Sequence, residues 1–258
     1  MNEVLLRMTL AQTVRSKRAL IALIVSVLPF VFGLAAVLEN NSNTWSPFLD
    51  ELLFICFGFT IPLVALILIG GLIADEVEDR TISYLLTAPI YRADLFRSRA
   101  LAIAILVAGF ALIQGLGVYF VELVHYMSSD QGELYTRGGD ASATRVLGAG
   151  FFMAMLLPAM VAIGYTFLFG FLSLAIGKWH FLAAVAATGL DLATVFSDNI
   201  FLGSASAAGA LFDAVVGFGT GSRGAVGMLF LLALPAVWYV LGVFVVKRKE
   251  FHVTSAVT

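Results

Sequence analysis

The residues able to do chemistry are few and unevenly placed. The densest group is Asp75–Arg99, DEVEDRTISYLLTAPIYRADLFRSR, set between two runs of almost pure hydrocarbon. Carboxylates come first (Asp75, Glu76, Glu78, Asp79) and guanidinium groups follow (Arg80, Arg92, Arg97, Arg99), with Ile82, Tyr84, Leu85 and Leu86 between them. Opposed charges around an apolar tip suit docking on a soluble protein; a solvated turn whose charges only mark topology is the other reading. Two polar groups stand inside apolar runs, where such side chains are costly and are functional candidates by default. Asp191 either faces a translocation path or sits among headgroups beyond a segment that ends near Leu190. Gln114 suits that same path or a hydrogen bond between helices. Glu122 and His125 form one Glu-x-x-His, whereas di-iron bundles use two plus two further Glu, so no metal site is expected. His180 and His252 fall at interfacial or tail positions, and no Ser/His/Asp or Cys/His set can be assembled. Cys56 is the one cysteine and lies in an apolar run, which leaves no disulfide framework. A phosphate-cradling G-x-x-x-x-G-K-[ST] is missing too: Gly177–Lys178 is followed by Trp179, with Leu172 where the first Gly belongs. The chain carries no ATP site and no expected cofactor of its own.

Those residues must be positioned by elements that live in lipid. Hydrophobic residues make up 60% of the chain and charged ones 12%, against about 45–50% and 25% in soluble domains. Six apolar segments can be read, at about 19–38, 52–74, 101–121, 146–176, 181–196 and 225–246. A helix needs roughly 20 residues to cross a ~30 Å hydrocarbon core; the fifth segment is short for this. The runs lack the alternation of barrel strands, and an open sheet edge in lipid would leave backbone groups unpaired. The expected fold is an all-α polytopic membrane protein, one transmembrane domain over 1–258 with no separate soluble domain and no internal repeat. Twelve of the 15 basic residues fall on one side: Arg7, Arg15, Lys17, Arg18, the island's four, Lys178, Lys247, Arg248 and Lys249. Arg137, Arg145 and Arg223 take the other. The positive-inside rule then places both termini and the island in the cytoplasm.

The first apolar run exceeds a secretory h-region of 7–15 residues, so it is read as a retained helix. Before it, Val4, Leu5, Met8 and Ala11 or Val14 recur at helical spacing beside Arg7 and Arg15. That pattern fits a helix lying in the membrane plane, and an unstructured tail is the open alternative. Of the external stretches, 39–51 is short and polar, 122–145 is Gly-containing and irregular, and 197–224 alternates apolar pieces with Ser and Gly. The last of these suits short helices that dip back into the bilayer. Pro62, Pro158 and Pro235 fall inside predicted helices. Small residues Ala104, Ala108, Ala111 and Gly115, with Gly150 and Ala154, permit the close backbone approach on which packing in lipid relies.

Within the island, the acidic residues extend the second helix and Thr81–Thr87 is a short helix-compatible piece. Pro89 stops it, lacking a donor and disfavouring helix at Ala88. Tyr91–Arg99 then restarts toward the third span. The product is a helical elbow, and its sequence resembles the first cytoplasmic loop of type-2 ABC transporter permeases. The matching residues are Glu76, Glu78, Arg80, Thr81, Tyr84, Leu85, Leu86, Thr87, Pro89, Ile90 and Arg92. Arg80 departs from the Gly common before that Thr, and Arg99 from a common Lys. The layout of six helices with a polar insertion before the last matches over nearly the full length.

The resemblance implies that Glu76, Glu78, Arg80, Thr81, Tyr84, Leu85, Leu86, Pro89 and Arg92 contact an ATP-binding cassette subunit, together with the in-plane N-terminal helix. It also implies that ATP and Mg are bound by that partner, and that a second permease copy or paralogue completes a dimer. The function expected is a cytoplasmic-membrane exporter permease, with Asp191 and Gln114 as possible path residues. An ion- or proton-coupled carrier using Asp191 and Glu122 is the rival, and a polytopic membrane enzyme is a third reading. A nucleic-acid partner is not expected.

Overall fold

The computed structural model describes residues 3–39, 56, 58–69, 92–128, 151–176, 179–195 and 222–248. These residues form α-helices with no strand among them: α1 (Glu3–Val14), α2 (Lys17–Glu39), α3 (Ile61–Ile69), α4 (Arg92–Ser128), α5 (Phe151–Ile176), α6 (His180–Val195) and α7 (Ser222–Arg248). Four stretches are long and apolar enough to cross a membrane: Lys17–Ala35, Ala93–Val121, Met155–Ile176 and Leu229–Arg248. Two more apolar helices, Gly58–Ile69 and His180–Leu190, are shorter. The nine residues of α3 rise only roughly 14 Å at 1.5 Å per residue. Most of what the second predicted segment adds at either end, and the elbow itself, lie outside the described residues.

Local chemistry accounts for several boundaries. Ser16 ends the turn after α1 and caps α2: its Oγ accepts from the Ala19 amide at 3.2 Å and donates to the Thr13 carbonyl at 2.6 Å. An oxygen at that position satisfies one of the donors every helix start leaves orphaned. Asp94 stands in the first turn of α4 and Lys247 and Arg248 in the last turn of α7, the signs that each helix dipole favours. Arg248 also lies over the Phe244 ring, 4.2 Å from its centroid. Pro158 and Pro235 fall inside α5 and α7 as expected, and Pro29 does the same in α2. Pro62 follows a π-helical turn at 58–60, a place where the hydrogen-bond ladder is already changing register.

The first twelve described residues are helix rather than tail. Their packed face, however, is Leu5, Leu6, Thr9, Leu10 and Thr13, each half-buried, and the helix leans on α4. Val4, Met8 and Val14 point away and are exposed. The stripe read from the sequence is therefore mainly the outward face, because Leu6 and Leu10 turn the apolar surface around the cylinder.

The centre of the fold is α4. It packs against α1, α2, α3, α5 and α7, and α5 in turn packs against α3, α6 and α7. Ala104 and Ala111 are buried on α4, and Gly115 with them, as the close-approach spacing requires. Two aromatic pairs join α5 to α7, Phe167–Tyr239 at 5.2 Å and Phe171–Trp238 at 5.5 Å between centroids. Tyr119 and Phe151 meet edge-on at 5.7 Å between α4 and α5. Large apolar side chains that do not pack inward, such as Leu20, Ile24, Leu182, Leu232 and Val240, cover the outside of the bundle. A surface this apolar is what a lipid-facing wall requires.

Candidate functional site

Most of the residues expected to meet a partner (Glu76, Glu78, Arg80, Thr81, Tyr84, Leu85, Leu86 and Pro89) lie outside the described residues. Arg92 is the first residue of α4. The helix ends on either side of residues 70–91 are described, and both are deeply set. Ile69, the last residue of α3, and Phe96, in the second turn of α4, have no exposed surface. Both reach the same glycine of α5: a methyl group built on Gly170 would lie 3.2 Å from Ile69 Cδ1 and 3.9 Å from Phe96 Cε2. Phe96 also abuts α7, where a methyl on Gly242 would lie 2.6 Å from Cζ and 2.9 Å from Cε1. Around this core the surface is charged. Asp94 lies 3.7 Å from Arg97, and the contact of Phe96 with Gly242 sets that end of α4 beside the Lys247 and Arg248 end of α7.

The polar candidate in the third segment has a different setting. Gln114 is 1% exposed, and its amide ties together three helical segments. Its Nε2 donates to Ser26 Oγ of α2 at 3.1 Å, and its Oε1 accepts from Thr60 Oγ1, in the π turn, at 2.8 Å. Each hydroxyl has a carbonyl of its own helix in reach: Ser26 Oγ lies 2.7 Å from Ala22 O and Thr60 Oγ1 3.1 Å from Cys56 O. The interhelical hydrogen bond expected of Gln114 is present, and there are two. Ser26 and Thr60 were not singled out in the sequence; the only signal was that each is a hydroxyl inside an apolar run.

Asp191 falls within α6, which continues past Leu190 to Val195. Its backbone is therefore helical, four residues before the helix ends. The structure brings Asp191 and Gln114 onto no common element; they belong to α6 and α4. Glu122 and His125 belong to the last turns of α4. Among the described residues no three His, Cys, Asp or Glu side chains gather as a metal site. What the described parts can do is mechanical: hold a buried polar tie through α4, and pack Ile69 and Phe96 against α5 and α7.

Among curated proteins none matches the chain. The family model described as ABC-2 family transporter protein matches residues 13–183. That stretch holds α2 to α5, the charged island Asp75–Arg99, and the beginning of α6. Covering roughly two thirds of the sequence, the match agrees with an all-helical chain of several membrane-length apolar helices, and the protein is a member of the ABC-2 family of membrane transport proteins.

Proposed function

We propose that this chain is the membrane-spanning permease subunit of an exporter driven by a separate ATP-binding cassette ATPase in the cytoplasmic membrane. The observation that carries this reading is the family match over 13–183, which spans the elbow whose residues resemble the docking loop of such permeases. The absence of any G-x-x-x-x-G-K-[ST] in the sequence supports an engine supplied in trans. In the full reading all six apolar segments cross the membrane with both termini in the cytoplasm, and α1 lies along the inner surface. Glu76, Glu78, Arg80, Thr81, Tyr84, Leu85, Leu86, Pro89 and Arg92 meet the ATPase, and a second permease copy or paralogue encloses the path.

The physics of such a machine asks for a stiff element under the docking surface. A helix contacted by most of the others is suited to it, because close-packed interiors pass on displacement rather than absorb it. Both proposed docking elements converge on α4: α1 packs on its side and the elbow leads directly into its first turn. Binding of ATP by two cassettes, which brings them together, would then displace α4 and the helices packed around it. Energy enters through a protein contact and not through a proton site, so Asp191 and Gln114 serve substrate preference or packing.

Purification of the tagged full chain from its native membrane tests this reading. A P-loop ATPase should accompany it at one to one, and Leu85→Asp should release that ATPase while the permease stays folded. A charge left unpaired in such a contact costs about 3–5 kcal/mol, a loss of at least ~100-fold in affinity. Full retention of the ATPase by the Leu85→Asp protein would reduce the elbow to a topology marker.

A further inference from the structure

Resting on that reading, we propose that Phe96, seated between Gly170 and Gly242, is the joint through which movement of the elbow reaches α5 and α7. Phe96 is a positioning residue that touches neither ATP nor substrate; it acts through the helices behind it. Three observations converge on it. The ring is 0% exposed although it lies only four residues beyond the start of α4. Ile69 and Phe96, from the helix ends on either side of residues 70–91, both pack over Gly170 on α5. The tip of the ring lies so close to α7 that a methyl group at Gly242 would stand 2.6 Å from Cζ and 2.9 Å from Cε1.

A ring that leaves no room for a methyl group on Gly242 packs directly on the α7 backbone, and close-packed surfaces pass on displacement rather than absorb it. The receiving side is itself stiffened. Phe167 and Phe171 bracket Gly170 on α5 and stack on Tyr239 and Trp238 of α7, a turn from Gly242. The two helices thus form one braced pair with a slot for a single ring. Glycine is required for space at the α7 wall, where a methyl on Gly242 would overlap the ring; at Gly170 a methyl would meet the ring at an ordinary 3.9 Å and crowd Ile69 Cδ1 at 3.2 Å. A displacement of α4 toward the pair moves both helices together; a smaller side chain at 96 would open a gap and let α4 move alone.

The experiment uses the complex that co-purifies with the full chain, with nitroxides on Leu20→Cys in α2 and Val240→Cys in α7. Both sites are exposed, at 61% and 62%, and the natural Cys56 is buried. Trapping with Mg-ATP and vanadate should shift the α2–α7 distance in the parent. Phe96→Ala should reduce the shifted population at least fivefold, while the ATPase stays bound and its hydrolysis rate stays within twofold. Gly242→Ala should uncouple in the same way, and Gly242→Ala with Phe96→Leu should recover more than half the response, because the shorter side chain vacates the crowded position. That rescue pair carries the test if Phe96→Ala fails to fold. A full response in Phe96→Ala, a Gly242→Ala defect that Phe96→Leu leaves unrelieved, or a parent complex that hydrolyses ATP with no shift would each overturn the proposal. Absence of any ATPase from the parent preparation would overturn the underlying reading, and this inference with it.

Discussion

Replacing Gln114 by leucine asks whether this amide ties helices together or touches cargo. The structure sets the magnitude. Gln114 makes two side-chain hydrogen bonds, to Ser26 at 3.1 Å and Thr60 at 2.8 Å. Side-chain hydrogen bonds between membrane helices average about 0.6 kcal/mol each and reach about 1.7. The two together are therefore worth about 1 kcal/mol and at most about 3. The lower figure is favoured here because neither hydroxyl is stranded: Ser26 falls back on Ala22 O and Thr60 on Cys56 O. Leucine fills most of the same volume and adds no cavity. Gln114→Leu should thus cost about 1 kcal/mol, roughly a fivefold change in the unfolding constant. Gln114→Ala, which also empties a fully buried site, should cost about 3 kcal/mol, within the range for large-to-small changes in packed cores. Denaturant titration of the purified full chain in micelles reads both values, with transport measured in parallel. If Gln114→Leu abolished transport while stability moved by less than about 1 kcal/mol, the buried-tie account would be refuted and Gln114 would belong to the substrate path. Equal losses for leucine and alanine would refute the packing share of the estimate, since the hydrogen bonds would then carry the whole effect.

Two further outcomes are expected. A cysteine at Ser129 should react with an impermeant thiol reagent applied from outside intact cells, whereas one at Lys247 should react only after permeabilisation; the reverse pattern would invert the proposed topology. Lys247 is the proper inner probe because Ser98, in the island, is buried and a thiol there would stay silent from either side. Asp191→Asn should keep ATP-dependent transport in vesicles without a proton gradient. Loss of transport for every substrate with ATP hydrolysis intact would instead make that acid a proton carrier.

The amino-acid sequence by itself determined that this protein is helical, that it belongs in a bilayer, and where most of its helices run. These properties follow from quantities summed along the chain. Apolar runs of membrane length have no other way to satisfy their backbone groups in lipid. α2, α5, α6 and α7 accordingly lie within five residues of the predicted bounds. The continuation of Tyr91–Arg99 into the third segment was equally legible, since no breaker follows Pro89 before the apolar run, and α4 is one unbroken helix from Arg92. So was the loop resemblance, which is a matter of residue order and agrees with the family match. Facing was another matter. In α1 apolar residues lie on more than one face, Val4, Met8 and Val14 on one and Leu5, Leu6 and Leu10 on another, so the sequence could not tell which of them turns inward. Nor could it pair Gln114 with Ser26 and Thr60, which stand 88 and 54 residues away. Those meetings depend on the rotation and depth of three helices at once, and only packing sets them. Phe96 was one aromatic residue among 22 Phe. Its place became evident only when a glycine of a distant helix, Gly242, was found to leave room for its ring beside Gly170, because a slot is a property of the surfaces that enclose it and of no residue alone.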